Sequence, residues 1–126
     1  MFEKIKCFIL DMDGTIYLGN ELFSYTKEFL KKVDETGRKY YFFTNNSSKS
    51  QQDYIEKLEK FGIRIKSQQM MTSTHVISRY LKQHYEGKSV YVVGTPSLIQ
   101  EFQYFGINVT EEDPDIVVLG FDTTLT

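Results

Sequence analysis

The chain has one cysteine, two prolines and no tryptophan among its 126 residues. A lone cysteine, Cys7, excludes an internal disulfide, and its place in an apolar run is that of a reduced, buried thiol. No apolar run approaches the ~18 residues that a membrane-spanning helix needs. The opening stretch MFEKIKCFIL sets two lysines ahead of an apolar run of four residues, Cys7–Leu10, which Asp11 ends. A secretory signal needs roughly 7–15 apolar residues at that point, so none is read and a cytoplasmic location is expected. Cationic excess is also missing. The formal charge is −2, and basic residues do not interleave with the nine tyrosines and ten phenylalanines. A nucleic-acid platform would need both features, so nucleic acid is not an expected partner, and neither is a membrane. Neither a Gly-x-Gly-x-x-Gly nor a Gly-x4-Gly-Lys loop occurs, which leaves a nucleotide-cofactor cradle unsupported.

What is present suits one globular core. Apolar residues make up 40% and aromatic residues 15% of the chain. A chain of this length can bury about two-thirds of its extended surface. Four apolar runs repeat a pattern: Cys7–Leu10, Tyr40–Phe43, Val90–Val93 and Ile116–Leu119. Each is continuous and rich in β-branched or aromatic residues, as a strand buried on both faces reads. Small or polar residues follow each run at once.

Helix-like segments lie between the runs. Glu21–Thr36 places Leu22, Phe29, Leu30 and Val33 near one face, with Gly37 at the C-terminal cap. Ser50–Phe61 opens on Ser-Gln-Gln-Asp, close to a capping box, and ends at Gly62. Ser73–Tyr85 sets Val76, Ile77, Tyr80, Leu81 and His84 on one side. Thr95-Pro96 reads as an N-cap with proline at the first helical position, ahead of Leu98, Ile99, Phe102 and Phe105. One weak extra strand is expected to cover Arg64–Met71 and another Asn108–Thr110. Glu111, Glu112, Asp113 and Asp115 read as a solvated loop. His75 and His84 lack metal-ligand spacing and read as helix residues, and Met70-Met71 reads as core filling.

Strands alternating with helices predict a doubly wound, three-layer α/β fold with a Rossmann-like parallel sheet. Right-handed crossovers then gather the post-strand loops on one sheet edge, where open α/β sheets bind ligands. Asp11–Thr15, Thr44–Ser48 and Gly94–Thr95 are predicted to converge there.

The strongest chemical signal is Asp11-Met12-Asp13-Gly14-Thr15. Two acids spaced i and i+2 at a strand end project to the same side. Like charges so placed cost energy unless a cation or a proton compensates. One carboxylate can then stay ionised as a nucleophile while the other keeps a proton as an acid. Gly14 allows a sharp turn and lets main-chain amides approach an anion.

FILDMDGTIYLGN at Phe8–Asn20 resembles the first motif of the haloacid dehalogenase superfamily, Asp-x-Asp-Gly-Thr. YYFFTNNSSKS at Tyr40–Ser50 resembles its second motif, an apolar strand ending in Thr or Ser. That wording, with TSTHVISRYL, YVVGTPSL and IVVLGFDTTLT further on, is similar to the NagD-like and p-nitrophenylphosphatase-like branch. The resemblance implies Mg²⁺-dependent hydrolysis of small phosphate monoesters through an aspartyl-phosphate. It implies Asp11 as nucleophile, Asp13 as general acid and base, and both as Mg²⁺ ligands, Asp13 through its carbonyl. The phosphate would be met by Thr44, Asn45, Met12 and Gly14. The family's later lysine and acidic pair have no match between Ile107 and Thr126. The expectation is therefore the N-terminal portion of a haloacid dehalogenase-like core over residues 1–126, with the cap following near Phe121 and little activity from this piece alone. Lys49 reads as solvent-exposed and Asp122 as a loop. The alternative reading is a non-catalytic phosphate- or Mg²⁺-binding module, or a receiver-like phospho-acceptor. A receiver's middle strand ends on an acid, whereas Val90–Val93 is followed by Gly94-Thr95.

Overall fold

The computed structural model describes residues 4–13, 15–18, 20–44 and 50–120. Five parallel strands form the main sheet: β1 (Cys7–Asp11), β4 (Lys39–Phe43), β5 (Met70–Met71), β6 (Val90–Gly94) and β7 (Ile116–Gly120). Their spatial order is β5-β4-β1-β7-β6, with β1 in the centre. Each of the four apolar runs is a strand of this sheet. Two short strands, β2 (Tyr17–Leu18) and β3 (Glu21–Leu22), pair antiparallel in a separate hairpin.

Four helices cover the two faces: α1 (Thr26–Glu35), α2 (Gln51–Lys60), α3 (Thr74–His84) and α4 (Pro96–Tyr104). Alternation along each strand divides the core between the faces. Cys7, Ile9, Tyr41 and Phe43 join Ile77, Leu81, Leu98 and Phe102 on the α3/α4 face. Leu10, Phe42 and Met70 join Leu30, Tyr54 and Leu58 on the α1/α2 face. Three layers result, helix on sheet on helix, as the strand–helix alternation predicts.

Local chemistry explains the helix starts. Ser50 caps α2 with its hydroxyl on the Asp53 N–H, and the Asp53 carboxylate returns to the Ser50 N–H, completing the capping box. Ser73 caps α3 through the Val76 N–H, and Thr95 caps α4 through the Leu98 N–H with Pro96 next.

Four expectations change. The first helix starts at Thr26, because Glu21–Leu22 belongs to the hairpin and the Ile16 carbonyl takes both the Phe23 N–H and the Thr26 hydroxyl. Arg64–Met71 is mostly a connection, with a 3₁₀ turn at Ser67–Gln69 before the two-residue β5; Val109 makes only an isolated bridge to Val90. Val76 is exposed, on the edge of the α3 apolar face. Asp115 is not solvated. It is buried, and its Oδ2 accepts the Ser89 N–H at 3.0 Å and the Ser89 hydroxyl at 3.2 Å. Among the described residues, no helix is long and apolar enough to cross a membrane.

Leu58 is fully buried in the core on the α1/α2 face. Leu58→Ala should cost about 2–5 kcal/mol in denaturant unfolding. A loss below about 1 kcal/mol would contradict this packing.

The Ser89 N–H, followed by the Lys4 charge, holds the Asp115 carboxyl below its ordinary range despite burial. A depressed folded pKa contributes stability that is complete above the unfolded value and lost as pH falls through the folded one. Unfolding midpoints should therefore drop on acidification below about pH 4. Asp115→Asn should be less stable at neutral pH and show a shallower acid limb; an identical limb would contradict this role.

Candidate active site

β1 ends on Asp11, in register with Phe43 of β4. The Met12 N–H donates to the Phe43 carbonyl at 3.1 Å and to Asp11 Oδ1 at 2.9 Å. The same backbone group thus continues the sheet and orients the Asp11 carboxylate. The Met12 side chain is fully buried in the α1/α2 core, anchoring the turn that follows. Thr15 and Ile16 both send their N–H groups back to the Met12 carbonyl, at 3.4 and 3.1 Å. The turn leaves Asp13 exposed while Asp11 stays half-buried at the strand end.

The loop is braced from outside. The Tyr25 hydroxyl donates to the Thr15 carbonyl, and the Thr26 hydroxyl donates to the Ile16 carbonyl at 3.0 Å. Beside Asp11, β6 and β7 end on the paired residues Gly94 and Gly120. A Cβ on Gly120 would fall 2.5 Å from Leu98 Cδ2 and 3.8 Å from Asp11 Oδ2. Glycine there keeps backbone close to the Asp11 carboxylate.

Thr44 follows the last residue of β4. It is buried, its N–H donates to the Met71 carbonyl at 3.1 Å, and its hydroxyl donates to the Tyr54 hydroxyl at 3.4 Å. Because β1 and β4 run parallel, Asp11 and Thr44 stand at the same sheet edge. The structure therefore brings together Asp11, Met12 and Asp13 on one loop, with Thr44 on the adjacent strand end. Gly14, Asn45, Lys49 and Asp122 lie outside the described residues. The Met12 N–H already has two acceptors, so its observed work is to hold Asp11.

Tyr17 is a neighbour that sequence reading missed. Its ring is fully buried, with Lys57 Nζ 4.1 Å from the ring centre and the Phe61 ring at 5.8 Å. Its hydroxyl is buried and finds no hydrogen bond of ordinary geometry among the described residues. Burial first, then the nearby Asp13, and to a lesser extent Tyr54 and Asp11, push its pKa far up. Tyr17 therefore keeps its proton and remains a neutral donor near the acid pair. Nothing in its sequence position, four residues past Asp13, separates it from an ordinary hairpin residue.

The donors gathered at this edge are oxygens: two carboxylates, a hydroxyl and main-chain carbonyls. Such hard donors fit Mg²⁺, which takes one or two carboxylates and keeps water for the rest. Among the described residues no group of three or more His, Cys, Asp or Glu residues forms, at this edge or anywhere else.

A buried hydroxyl with no well-formed hydrogen bond among the described residues, as at Tyr17, costs about 1–3 kcal/mol of desolvation. Tyr17→Phe should therefore leave unfolding stability within about 1 kcal/mol of the parent, or raise it, whereas Tyr17→Ala should lose about 3–5 kcal/mol through its cavity. A loss above about 2 kcal/mol for the Phe variant would mean that the hydroxyl is bonded in solution.

Comparison with known proteins agrees with this architecture. The family model described as "Haloacid dehalogenase-like hydrolase" matches residues 8–108. The chain is 32% identical over 124 residues to the 5′-nucleotidase YutF of Bacillus subtilis (strain 168), covering 98% of this chain and 48% of that protein. It is 30% identical over 125 residues to an acid sugar phosphatase of Staphylococcus aureus (strain USA300), again covering 98% and 48%. The crystal structure of a 4-nitrophenylphosphatase from Thermotoga maritima aligns over 99% of this chain and 48% of its own, with a TM-score of 0.56 and 41% identity. A glycerol phosphate phosphatase from Mycobacterium tuberculosis, solved in complex with magnesium, aligns over 96% of this chain and 37% of its own, at TM-score 0.51 and 27% identity. The chain spans about half the length of the curated relatives it matches. With the acid loop and the Thr44 strand end inside the matched span, the chain belongs to the haloacid dehalogenase-like hydrolases and is similar within them to the NagD-like and p-nitrophenylphosphatase-like proteins.

Proposed function

We propose that the protein hydrolyses small, soluble phosphate monoesters, with Asp11 as nucleophile and Asp13 as general acid and base. The observation that carries this reading is the placement of Asp11 and Thr44 at the carboxyl ends of adjacent parallel strands, with exposed Asp13 one turn beyond. Phosphoryl transfer asks mainly for positioning and charge neutralisation. An Asp11 oxygen attacks phosphorus as the ester P–O bond breaks. Asp13 delivers its proton to the departing oxygen. It then takes a proton from water, which attacks the aspartyl-phosphate and returns Asp11 with release of inorganic phosphate. Thr44 offers a hydroxyl to a phosphoryl oxygen. Asn45 and the Gly14 main chain would complete that contact. Met12 serves this reading by fixing Asp11, with its main chain also set against the phosphate.

Asp11, through its carboxylate, and Asp13, through its carbonyl, would hold Mg²⁺, which when bound neutralises charge on the transferring group. The magnesium in the M. tuberculosis relative and the oxygen-only donor set support that assignment. The names of the relatives point to nucleoside, sugar, glycerol or aryl phosphates as the substrate class.

The test is phosphate release from 4-nitrophenyl phosphate and a panel of sugar phosphates and nucleoside monophosphates, with Mg²⁺ and with EDTA, on the natural gene product. Mg²⁺-dependent turnover is expected. Asp11→Asn should lower it at least ~10³-fold and Thr44→Ala by ~10–100-fold. Turnover that survives Asp11→Asn would overturn the reading. Phosphorylation of Asp11 by acetyl phosphate without ester hydrolysis would favour a phospho-acceptor instead.

A further inference from the structure

A second concave site lies at the opposite end of β4. The strand runs from Lys39 to Phe43, so its two ends are about 13 Å apart at ~3.3 Å per residue. The Phe43 end faces Asp11, while the Lys39 end opens into a cavity of about 590 Å³. That volume suits a nucleotide-sized molecule.

Its walls come from three remote segments. Arg38 and Lys39 stand at the start of β4, Arg64 and Lys66 on the connection after α2, and Tyr80 on α3. Among the described residues, Lys39, Arg64 and Lys66 make no ion pair. Arg38 donates through Nε to the Ile5 carbonyl at 2.8 Å, which fixes its position. Asp34 is the one acid in the lining, against four cations, in a chain of net charge −2. Like charges gathered in one concavity repel, and an anion removes that cost. Tyrosine rings form the apolar part of the wall, and two of them are locked. The Tyr41 and Tyr80 hydroxyls hydrogen-bond at 2.9 Å with ring centres 5.1 Å apart.

We propose that this cavity binds an anionic ligand bearing a planar ring, of the size of a nucleoside monophosphate. Lys39, Arg64 and Lys66 take the anion, and the tyrosine wall takes the ring. Arg64 can meet a phosphate with its planar fork, and the lysines add point charges. The site is separate from the acid loop and does not rest on the phosphatase reading. The competing account is edge protection. β5 pairs only with Phe42 and Phe43, so the first half of β4 lacks an outer strand, and lysines discourage intruding chains there. Edge protection explains Lys39. It does not explain why unpaired cations from a second segment face the tyrosine wall.

The test is a titration of the purified chain with AMP in EDTA, read by amide chemical shifts, so that no divalent cation assists binding at Asp11. Saturable shifts are expected at Tyr41, Gln69 and Tyr80, with adenosine and ribose 5-phosphate each several-fold weaker. Combined Arg64→Glu and Lys66→Glu should weaken AMP at least ~tenfold while amides outside the cavity keep their positions. Asp11→Asn should leave the affinity unchanged. Shifts that never saturate, that cluster around Asp11, or that survive the double charge reversal would overturn the proposal. Equal binding of ribose 5-phosphate and AMP would also overturn it, because the ring would then play no part.

Discussion

The parallel alignment of β1 between β4 and β7 is the constraint on which the rest depends. A central strand with helices on both faces must be apolar throughout, and Cys7–Leu10 meets that condition. Parallel pairing also sends every strand's carboxyl end to the same edge. The polarity that the interior cannot accept therefore appears at once, and at one place. After the fully buried Ile9 and Leu10, Asp11 is where β1 leaves the core at its carboxyl end. Its position follows from where the core stops.

Having placed two acids close together, the fold restrains them unequally. Asp11 is tied by its own neighbour's N–H, and Met12 is rooted in the α1/α2 core. Asp13 stands beyond the turn, in water. That asymmetry leaves one carboxylate fixed at the strand end and the other free to turn in solvent. Tyr17 adds a neutral donor near the pair, and its ring is flanked by Phe61 and Lys57.

The sheet was legible because buried strands write continuous apolar runs, and the helix starts because Ser50, Ser73 and Thr95 cap within three residues of themselves. The motif residues Asp11, Met12, Asp13 and Thr44 were legible for the same reason, since each sits at the end of a strand that sequence reading locates. The hairpin was not, because two-residue strands carry no periodicity. The burial of Asp115 was hidden by distance in sequence, since its partner Ser89 lies across the β6–β7 pairing. Tyr17 and the basic cavity were hidden in the same way. Their meaning arises from neighbours contributed by separate segments, and no local pattern announces such a meeting.

The Ile16 carbonyl accepts both the Phe23 N–H and the Thr26 hydroxyl. One oxygen therefore fastens the acid loop, the far arm of the hairpin and the first turn of α1 together. Through Met12, whose carbonyl takes the Ile16 N–H and whose N–H reaches the Phe43 carbonyl, the same loop is also tied to the sheet. The exposed acid is thus connected to the hairpin surface, while Asp11 remains fastened to the sheet. The two carboxylates thus differ in what anchors them, the strand end for Asp11 and the turn beyond it for Asp13.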